Sequence, residues 1–468
     1  MFAHLPLCLS RARLLAAGMI SIMLLSCGGG SGSPSNPATL PDTPPTCAEG
    51  RGKDRVLEIF EQDYLWNDEG LQQEKYLESQ TDDYPDDEAI VAALRWQPEQ
   101  YDRGFSYITS PEAEGRQNAG QALSYGFSLI LTGSSRLIVQ ETIEGGPVHQ
   151  AGVRRGWELV AIDGAEVSTF GDPASISTAL GYPNIREGTT RNLSFKDLNG
   201  NDRGPFSVAV ADFLVNPVPE VEILSVDGEA IGYVRLRSFV PPAVPAFADA
   251  VENFNAAGVR KIIIDLRYNG GGSLAVAEAI AGMVAGSRLR GETMYTIRFN
   301  ERNQQNNATG EFRARYQGES LVEGSFTDVI FLTTQNTASA SELLLHSLKP
   351  YPEAIRTAAV GTPTYGKPVG QIAQDYCNGE RRLRTVAFSL DNADGDGDYF
   401  SGIPVDCSAR DGWEKSLGSP DEASLATALA LMTTGSCPAE ILAAPARVRT
   451  RPLGQDYLGV HKRLDGIL

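Results

Sequence analysis

The chain of 468 residues is poor in histidine and carries no excess of positive charge. Its formal net charge of -19 at pH 7, with no basic cluster to offset it, argues against a nucleic-acid partner. A glycine run ends at Gly272 without the Gly-Lys-Ser/Thr that would complete a phosphate loop. Beyond His4, the histidines are His149, His346 and His461. These shortages exclude nucleic-acid and phosphate recognition and restrict the choice of a catalytic base.

The N-terminal leader lacks an apolar segment long enough to cross a membrane. Its apolar run from Leu14 to Leu25 is too short to span a bilayer, and Arg11 and Arg13 precede it. A basic start followed by a short apolar run is typical of a secretory leader. The pattern predicts a signal peptide over residues 1–26.

The residues at the end of this leader, Leu24-Leu25-Ser26-Cys27, resemble a bacterial lipobox. The resemblance implies cleavage before Cys27, lipidation of Cys27 and attachment to a membrane through that lipid; an ordinary secretory signal is the alternative. Gly28 stands where inner-membrane lipoproteins usually have Asp. We therefore expect a periplasm-facing protein of the bacterial cell envelope, anchored in the outer membrane. Residues 27–46 are predicted to be the lipidated cysteine and a flexible tether.

Cysteine is scarce in the chain that would remain after the leader is removed. Apart from the lipidated Cys27, only four cysteines would be present there. An even number of cysteines in an oxidising compartment indicates two disulfides, and three pairings are possible. We favour Cys377 with Cys407 and Cys47 with Cys437, because the second pair would tie the N-terminal region to the end of the core. Zinc is the competing interpretation, but the spacings are far from paired C-x-x-C.

A run of acidic residues at Asp391–Asp398 raises the question of a calcium loop. The run lacks the glycine and the distal glutamate of an EF-hand, so a solvated turn is the preferred interpretation. The sequence predicts no metal site and no cofactor.

The length predicts roughly three domains at about 150 residues each. We expect a multi-domain α+β protein with a helical N-terminal domain over residues 47–119, a β domain over 120–215, an α/β core over 216–440 and a C-terminal tail over 441–468. In the core an apolar strand at Lys261–Leu266 and helices at Leu274–Val284 and Ala423–Met432 alternate along the chain. This alternation predicts a largely parallel sheet.

The β domain resembles a PDZ domain in three segments, Gly145–Val153, Gly156–Leu159 and Ile162–Gly164. PDZ domains add a peptide as a strand to a sheet edge and receive its carboxylate on backbone amides. The resemblance implies that Tyr125, Gly126 and Phe127 bind the free C-terminus of a polypeptide partner. A spacer or lid without peptide binding is the alternative.

A serine lies at a predicted strand-to-helix turn in the core. The strand-like run Val329–Leu332 leads into Asn336-Thr337-Ala338-Ser339-Ala340-Ser341-Glu342, followed by apolar residues at helical spacing. A helix N-terminus presents free N–H groups that can stabilise an oxyanion. Ser339 is therefore the predicted nucleophile.

A lysine is the predicted base. His346 lies about two helical turns after Ser339, too far for a direct hydrogen bond along one helix, so a Ser/His/Asp triad is disfavoured. Lys367 and Gln371 would share one face of a strand. A lysine acts as a base at neutral pH only if its pKa falls by about three units, which burial next to Ser339 would achieve.

The glycine run after Asp265-Leu266-Arg267-Tyr268-Asn269 would let backbone amides approach a substrate carbonyl. With the serine and lysine segments, it resembles the carboxyl-terminal processing (tail-specific) protease family. The resemblance implies a crotonase/ClpP-like peptidase core, the nucleophile Ser339, the base Lys367 and the orienting residue Gln371. It also implies oxyanion donors at the backbone of Gly270 or Gly271 and of Ala340.

We therefore expect a serine endopeptidase that cleaves unstructured or C-terminal segments of cell-envelope proteins through a Ser/Lys dyad. A catalytically silent peptide-binding scaffold is the alternative from another class. An ester hydrolase on the same core is a third interpretation, weaker because a PDZ module has no obvious use there.

Overall fold

The structure is a computed structural model in which residues 51–68, 81–132 and 136–438 are described. Cys27, Cys47, the predicted leader and tether (1–46) and the predicted tail (441–468) lie outside the described residues. Within the described ranges, none of the helices combines the length and apolar character needed to cross a membrane.

The N-terminal part contains helices α1 (Arg51–Asp63), α2 (Asp87–Leu94) and α3 (Pro111–Asn118) and strand β1 (Tyr107–Thr109). The side chain of Asp86 accepts the Ala89 N–H and that of Ser110 accepts the Ala113 N–H, so both α2 and α3 begin at N-caps. These helices share one apolar cluster with the distant strands described below, through Val56, Phe60, Ile90, Leu383 and Val386.

The next part, residues 121–214, is built mainly of strands. These are β2 (Gln121–Ser124), β3 (Phe127–Leu131), β4 (Leu137–Thr142), β5 (Glu158–Ile162), β6 (Ala165–Glu166), β7 (Thr190–Lys196), β8 (Asp202–Ala209) and β9 (Ala211–Leu214), with helices α4 (Pro147–Gln150) and α5 (Pro173–Leu180). The sheet order is β3-β4-β5-β7-β8, with β6 on β5, and β2 pairs with β9. β3 is thus an edge strand. We call residues 121–214 the β domain.

The core begins with a second six-stranded sheet. Its strands are β10 (Val221–Val226), β11 (Glu229–Arg235), β12 (Lys261–Asp265), β17 (Asp328–Thr333), β18 (Arg356–Gly361) and β21 (Cys407–Ser408), in that order. β10 is antiparallel to β11, and the other neighbours are parallel.

Four helices cover this sheet: α6 (Ala243–Ala256), α7 (Leu274–Ala285), α8 (Ala340–Leu348) and α9 (Ala423–Thr434). The central strand β12 is apolar on both faces because Ile262 and Ile264 pack into one cluster and Ile263 packs into another. The described part of the chain therefore has the mixed α/β architecture expected of the core.

A third sheet carries the remaining strands, β13 (Thr293–Phe299), β14 (Ala308–Glu311), β19 (Val369–Tyr376) and β20 (Arg381–Asp391), and β15 (Arg315–Tyr316) pairs separately with β16 (Glu319–Ser320). β20 is central because it pairs with β1, β13 and β19. Short 3-10 helices occupy Thr81–Asp83, Val167–Thr169, Gly286–Arg288, Glu301–Asn306 and Cys377–Gly379.

Both favoured disulfide pairings are wrong, because Cys407 is bonded to Cys437 with a Cα–Cα separation of 5.6 Å. Cys437 follows α9, which packs against the sheet that contains β21. Cys377 lies in a different apolar cluster, with the N-terminal helices, and its own disulfide partner is outside the described residues. The observed pair has a sequence separation of 30, the same as that between Cys377 and Cys407, so the packing of α9 and not distance along the chain selected the pair.

Candidate active site

Ser339 lies at the turn between β17 and α8, immediately before the first helical residue. Its backbone has φ 57° and ψ -114°, a left-handed conformation that is costly for a residue with a side chain. The Ser339 carbonyl accepts the Leu343 N–H at 2.8 Å, so the helix starts directly from the serine. Ser339 is thus at a strand-to-helix turn, beside the free N–H groups of a helix N-terminus.

The side chains of Lys367 and Gln371 meet. Lys367 Nζ donates to Gln371 Oε1 at 2.8 Å, and Gln371 Nε2 donates to the carbonyl of Phe105. β19 begins only at Val369, and its pairing with β20 is irregular between Gly370 and Gln371. The two side chains therefore meet through a loop and a strand irregularity, not through the regular alternation assumed from the sequence.

Burial lowers the pKa of the Lys367 ammonium to about 8. Removal from water disfavours the charged form, the carboxylates of Asp102 and Glu342 oppose the shift, and Arg384 adds to it. The Nζ atom also lies 5.4 Å from the centroid of the Phe105 ring. A substantial fraction of the amine is consequently neutral near pH 8 and able to accept a proton.

Glu342 connects the serine to the lysine. Its Oε2 accepts the N–H groups of Ser339 and Lys367, each at 2.8 Å, and its Oε1 accepts the Gly366 N–H at 2.6 Å and the Thr364 hydroxyl at 2.5 Å. The side chain is fully buried. Burial raises the pKa of Glu342, and the four hydrogen bonds act in the opposite direction. One carboxylate thus holds both the turn at Ser339 and the loop at Lys367.

The run Gly270–Gly272, which we call the glycine loop, lies directly against Ser339. A Cβ on Gly271 would lie 2.8 Å from Ser339 Cβ and 2.9 Å from the Ala340 nitrogen. The Gly271 N–H donates to Asn269 Oδ1 at 2.9 Å, while Asn269 Nδ2 donates to the Leu236 carbonyl at 2.8 Å. The two glycine candidates for the oxyanion site therefore differ, because the Gly271 N–H already has an acceptor.

The other two candidate donors to an oxyanion are the backbone N–H groups of Gly270 and Ala340. Within the described ranges, the N–H groups of Gly270 and Ala340 donate to no protein acceptor. The Ala338 N–H and the Ser341 hydroxyl both donate to the Asn269 carbonyl at 3.0 Å, which joins the glycine loop to the serine turn. The arrangement leaves two N–H groups near Ser339 available to a substrate oxygen.

The β domain contacts the glycine loop through Arg155. Its guanidinium donates to the Tyr268 hydroxyl at 2.8 Å and pairs with Asp411 at 2.5 Å, and Tyr268 donates in turn to Asp411. Only 9% of the Arg155 side chain and 12% of the Asp411 side chain are exposed. Tyr268, with φ 67°, immediately precedes Asn269. A buried ion pair thus fixes the start of the loop.

The candidate peptide-binding residues of the β domain have different surroundings. Tyr125 is fully buried, donates to the Leu180 carbonyl at 2.9 Å, and has a pKa raised to about 12 by burial. Gly126 has φ +78°, and a Cβ there would lie 2.8 Å from Gly146 Cα. Phe127 starts the edge strand β3 and is partly buried. The Tyr125 side chain therefore belongs to the domain core and offers no surface to a peptide.

The His346 side chain is buried and is held by contacts within the fold. Its Nε2 donates to the Asp396 carbonyl at 2.8 Å, its ring lies 4.7 Å from that of Tyr399, and burial lowers its pKa. In the acidic run, Asn392 Oδ1 accepts the N–H groups of Asp394 and Asp396, as in a tight turn. Among the residues that the structure describes, no three His, Cys, Asp or Glu side chains form a metal-binding group.

The sequence reasoning missed Glu342, Asn269 and Phe105 as parts of the site. Ser339-Ala340-Ser341-Glu342 has the S-x-x-E spacing of a capping box, a signal that could have assigned Glu342 to the Ser339 N–H. Phe105 joins the site through its backbone carbonyl and ring across a sequence separation of 266 residues from Gln371. Its sequence carried no signal for that contact.

Part of the chain is similar to a known family of peptidases. Residues 230–405 match the model of peptidase family S41. This part of the chain, which lies within the α/β core, is therefore similar to an S41 peptidase domain. S41 peptidases are serine-type, and the match includes the segments that carry Ser339, Lys367 and Gln371.

The relatives of this chain include carboxyl-terminal-processing proteases. That of Synechocystis sp. is 26% identical over 340 residues, or 70% of this chain and 72% of the relative. That of Picosynechococcus sp. is 28% identical over 307 residues, or 64% and 65%. The carboxy-terminal processing protease CtpA of Bacillus subtilis is 22% identical over 320 residues, or 68% and 63%. The chain thus spans about two thirds of the length of these relatives.

Solved structures share the fold. A Bacteroides fragilis protein assigned to the S41 proteases has a TM-score of 0.63 and 21% identity, covering 86% of this chain and 100% of its own. The photosystem II D1 C-terminal processing protease has a TM-score of 0.50 and 20% identity, covering 77% and 93%. The described part of the chain therefore shares its overall fold with these two solved structures.

Proposed function

We propose that this chain is a serine endopeptidase in which Ser339 is the nucleophile, Lys367 the general base and Gln371 the residue that orients the lysine. The observation that carries the proposal is the shared carboxylate oxygen of Glu342, which accepts the N–H groups of Ser339 and Lys367. The lowered pKa of Lys367 and its hydrogen bond to Gln371 support the role of the amine. The S41 match supports the serine-type chemistry.

In this mechanism Ser339 Oγ attacks the carbonyl carbon of the peptide bond while the neutral Lys367 amine takes the hydroxyl proton. The negative charge develops on the carbonyl oxygen, which the N–H groups of Ala340 and Gly270 would stabilise. The Lys367 ammonium then donates its proton to the leaving amine as the C–N bond breaks. Water, activated by the same lysine, hydrolyses the acyl-enzyme and frees Ser339.

The proposed substrates are unstructured or C-terminal segments of cell-envelope proteins. The edge strand β3 supports capture by strand addition in the β domain, in the manner of a PDZ domain. Several relatives are named carboxyl-terminal-processing proteases, which agrees with this substrate class. The open edge of β3, which starts at Phe127, would meet the peptide. The backbone of Gly126 is already engaged, because its N–H donates to Ser124 Oγ at 3.0 Å and its carbonyl accepts the Ile143 N–H at 2.9 Å.

The proposed location is the periplasmic face of the outer membrane, through a lipid on Cys27. The support is the leader sequence alone, with its short apolar run and its Leu-Leu-Ser-Cys ending. Metabolic labelling with a palmitate analogue tests the anchor. We expect label on the wild-type chain and none on Cys27→Ser; equal labelling would contradict the assignment.

The activity is tested by incubating the purified full-length chain with a disordered peptide that ends in a free carboxylate, and with the same peptide as a C-terminal amide. We expect cleavage of the free acid, slower cleavage of the amide, and none by Ser339→Ala or Lys367→Ala. Lys349→Ala, at an exposed lysine, is the matched control and should cleave normally.

Each component of the proposal has its own contradicting result. Activity that survives in Ser339→Ala or Lys367→Ala would reject the dyad. Binding without cleavage by the wild type would favour a peptide-binding scaffold, and equal cleavage of acid and amide would reject capture through the C-terminus. A bulky residue at Gly126 is a poor test of capture, because its Cβ would collide with Gly146.

A further inference from the structure

The loop that carries the proposed base consists of Tyr365, Gly366 and Lys367, and we call it the base loop. It is held by hydrogen bonds on two opposite sides. The N–H groups of Gly366 and Lys367 donate to Glu342 at 2.6 and 2.8 Å, while the carbonyls of Tyr365 and Gly366 accept from Arg103 Nη2 at 2.8 and 2.6 Å. Gly366 has φ +90°, which permits two successive N–H groups to point to one side and the carbonyls to the other. Two consecutive peptide groups are thus clamped between a carboxylate and a guanidinium.

The Arg103 guanidinium is further held by two aromatic rings. It lies 4.4 Å from the centroid of Tyr365 and 5.5 Å from that of Phe105. Contacts of a cation with ring faces are favourable, and hydrogen bonds from a charged donor are stronger than neutral ones. Arg103 therefore contacts the base loop through both its backbone and the Tyr365 side chain.

The segment that carries Arg103 is itself anchored. The buried Asp102 carboxylate accepts the Tyr64 hydroxyl and the Ser106 N–H, each at 2.9 Å. The Phe105 carbonyl of the same segment accepts from Gln371. Arg103 thus reaches the base loop from a well-held support, and it lies outside the S41 match at residues 230–405.

We propose that Arg103 is a positioning residue for the lysine base: its guanidinium binds the Tyr365 and Gly366 carbonyls and sets the orientation of the peptide plane from which the Lys367 side chain projects. The inference rests on the proposed role of Lys367 as the base. Arg103 touches no reacting atom. Without it, both carbonyls would turn toward water and the amine would lose its fixed position between Gln371 and the Phe105 ring.

Several charged groups near Lys367 affect its pKa. The variants used in a test must leave these groups unchanged. Asp102 and Glu342 are the nearby carboxylates, and Arg384 on β20 is a cation with an effect on the amine. Loss of the Arg103 charge and entry of water into the loop would both favour the protonated amine. The two effects have the same sign, so removing Arg103 should raise the pH at which the amine becomes neutral.

The variants are Arg103→Met, which keeps an unbranched, mostly apolar stem without the guanidinium, and Arg103→Lys, which keeps the charge but not the two-carbonyl geometry. Arg95→Met is the matched control, because Arg95 also donates to a backbone carbonyl of this segment, Ser106, at 3.1 and 2.8 Å. Steady-state cleavage of the free-acid peptide is measured across pH 6 to 10, at a temperature where every variant is folded.

We expect Arg103→Met to lower kcat by about 10- to 100-fold, the effect of losing two charge-assisted hydrogen bonds, with KM changed by less than about threefold. Its pH–rate profile should shift to higher pH. Arg103→Lys should recover part of kcat, and Arg95→Met should keep the wild-type pH profile. A pH profile and a kcat for Arg103→Met equal to those of Arg95→Met would overturn the proposal.

A titration separates this inference from the proposed function. The full chain is labelled with 13Cε-lysine, the Lys367 signal is assigned with Lys367→Arg, and its pKa is measured by NMR in each variant. If the wild type cleaves no peptide, the proposed function fails, yet a raised Lys367 pKa in Arg103→Met still supports positioning. An unchanged Lys367 pKa rejects it. If Arg103→Met does not fold, Arg103→Lys decides the question by the same two measurements.

Discussion

Ser339 and Lys367 donate their backbone N–H groups to the same atom, Oε2 of Glu342, at 2.8 Å each. Ser339 immediately precedes α8, whereas Lys367 lies in the loop before β19, so the two residues belong to different elements of the fold. A fully buried carboxylate with four hydrogen bonds is a rigid link between them. The Glu342 side chain therefore links the turn at Ser339 directly to the loop at Lys367.

Glu342→Gln should lower both stability and activity. A glutamine keeps the shape but replaces one acceptor oxygen with an NH2 group, which would face donors. We expect a loss of about 2–4 kcal/mol in the free energy of unfolding, as for a buried charged partner that is removed, and at least a tenfold loss in kcat. Denaturant unfolding and peptide cleavage measure the two effects. Glu353→Gln, an exposed control, should match the wild type; a stable and fully active Glu342→Gln would contradict the bridging role.

The acylation rate should rise with pH and level off above about 8, where the Lys367 amine is neutral. A fluorophosphonate that labels Ser339 reports this step without a peptide. Single-turnover labelling from pH 6 to 10 should follow one ionisation. A rate that is independent of pH over this range would mean that the base is not an amine with a lowered pKa.

Lys367→Met should make the protein more stable at pH 7. The folded-state pKa of about 8 lies below the value of 10.5 for an ordinary lysine, so the unfolded chain binds more protons between these values and stability rises with pH there. The penalty is complete below pH 8 and is lost as the pH approaches 10.5. Because the Lys367 side chain keeps some exposure to solvent, we expect a gain of about 1–2 kcal/mol at pH 7. Thermal unfolding at pH 7 and 10 tests this; a gain that is larger at pH 10 would contradict it.

Gly271→Ala should abolish labelling of Ser339 by the fluorophosphonate. At φ +108°, the added Cβ would lie 2.8 Å from Ser339 Cβ and 2.9 Å from the Ala338 carbonyl, so the serine turn must shift. Gly270→Ala is the comparison, because a Cβ there meets nothing within 4 Å. We expect more than about 100-fold loss for Gly271→Ala and less than about tenfold for Gly270→Ala. Similar losses in both variants would show that the close approach is unimportant.

Arg155 and Asp411 should behave as one unit in a double-mutant cycle. Asp411→Asn leaves the buried Arg155 charge without its carboxylate and should cost about 3–5 kcal/mol in the free energy of unfolding. Arg155→Met should cost less, because Asp411 still lies 3.7 Å from Arg267. The double variant should cost much less than the sum, because no charge remains unpaired. Denaturant unfolding measures all four proteins. Strictly additive losses would mean that the ion pair does not couple the β domain to the Tyr268 loop.

Local patterns were enough to predict many elements of the core. The apolar run of β12 and the helical spacing of α7 and α9 predicted elements that the structure confirms almost to the residue. Ser339 was predicted at a strand-to-helix turn because the small residues there follow an apolar strand. These features depend on neighbours in the chain, which the sequence displays directly.

The predictions that failed or were missed depend on distant contacts. The pairing of Cys407 with Cys437 follows from the packing of α9, and the burial of the Tyr125 side chain in the β-domain core follows from its contact with Leu180. Neither outcome has a signal in residue spacing. A strand alternation predicted that Lys367 and Gln371 face each other, and they do meet, but through a loop and an irregular strand.

The sequence by itself determined the kinds of chemistry available: a serine at a turn, a lysine and a glutamine four residues apart, a glycine loop, and a shortage of histidine that leaves the lysine as the candidate base. Only the tertiary structure decided how these parts are held. Glu342, Asn269, Arg103 and Arg155 act through hydrogen bonds and ion pairs to backbone and side chains that are remote in sequence. Such bonds form only after the sheets and helices have packed, because burial then makes each unpaired polar group costly.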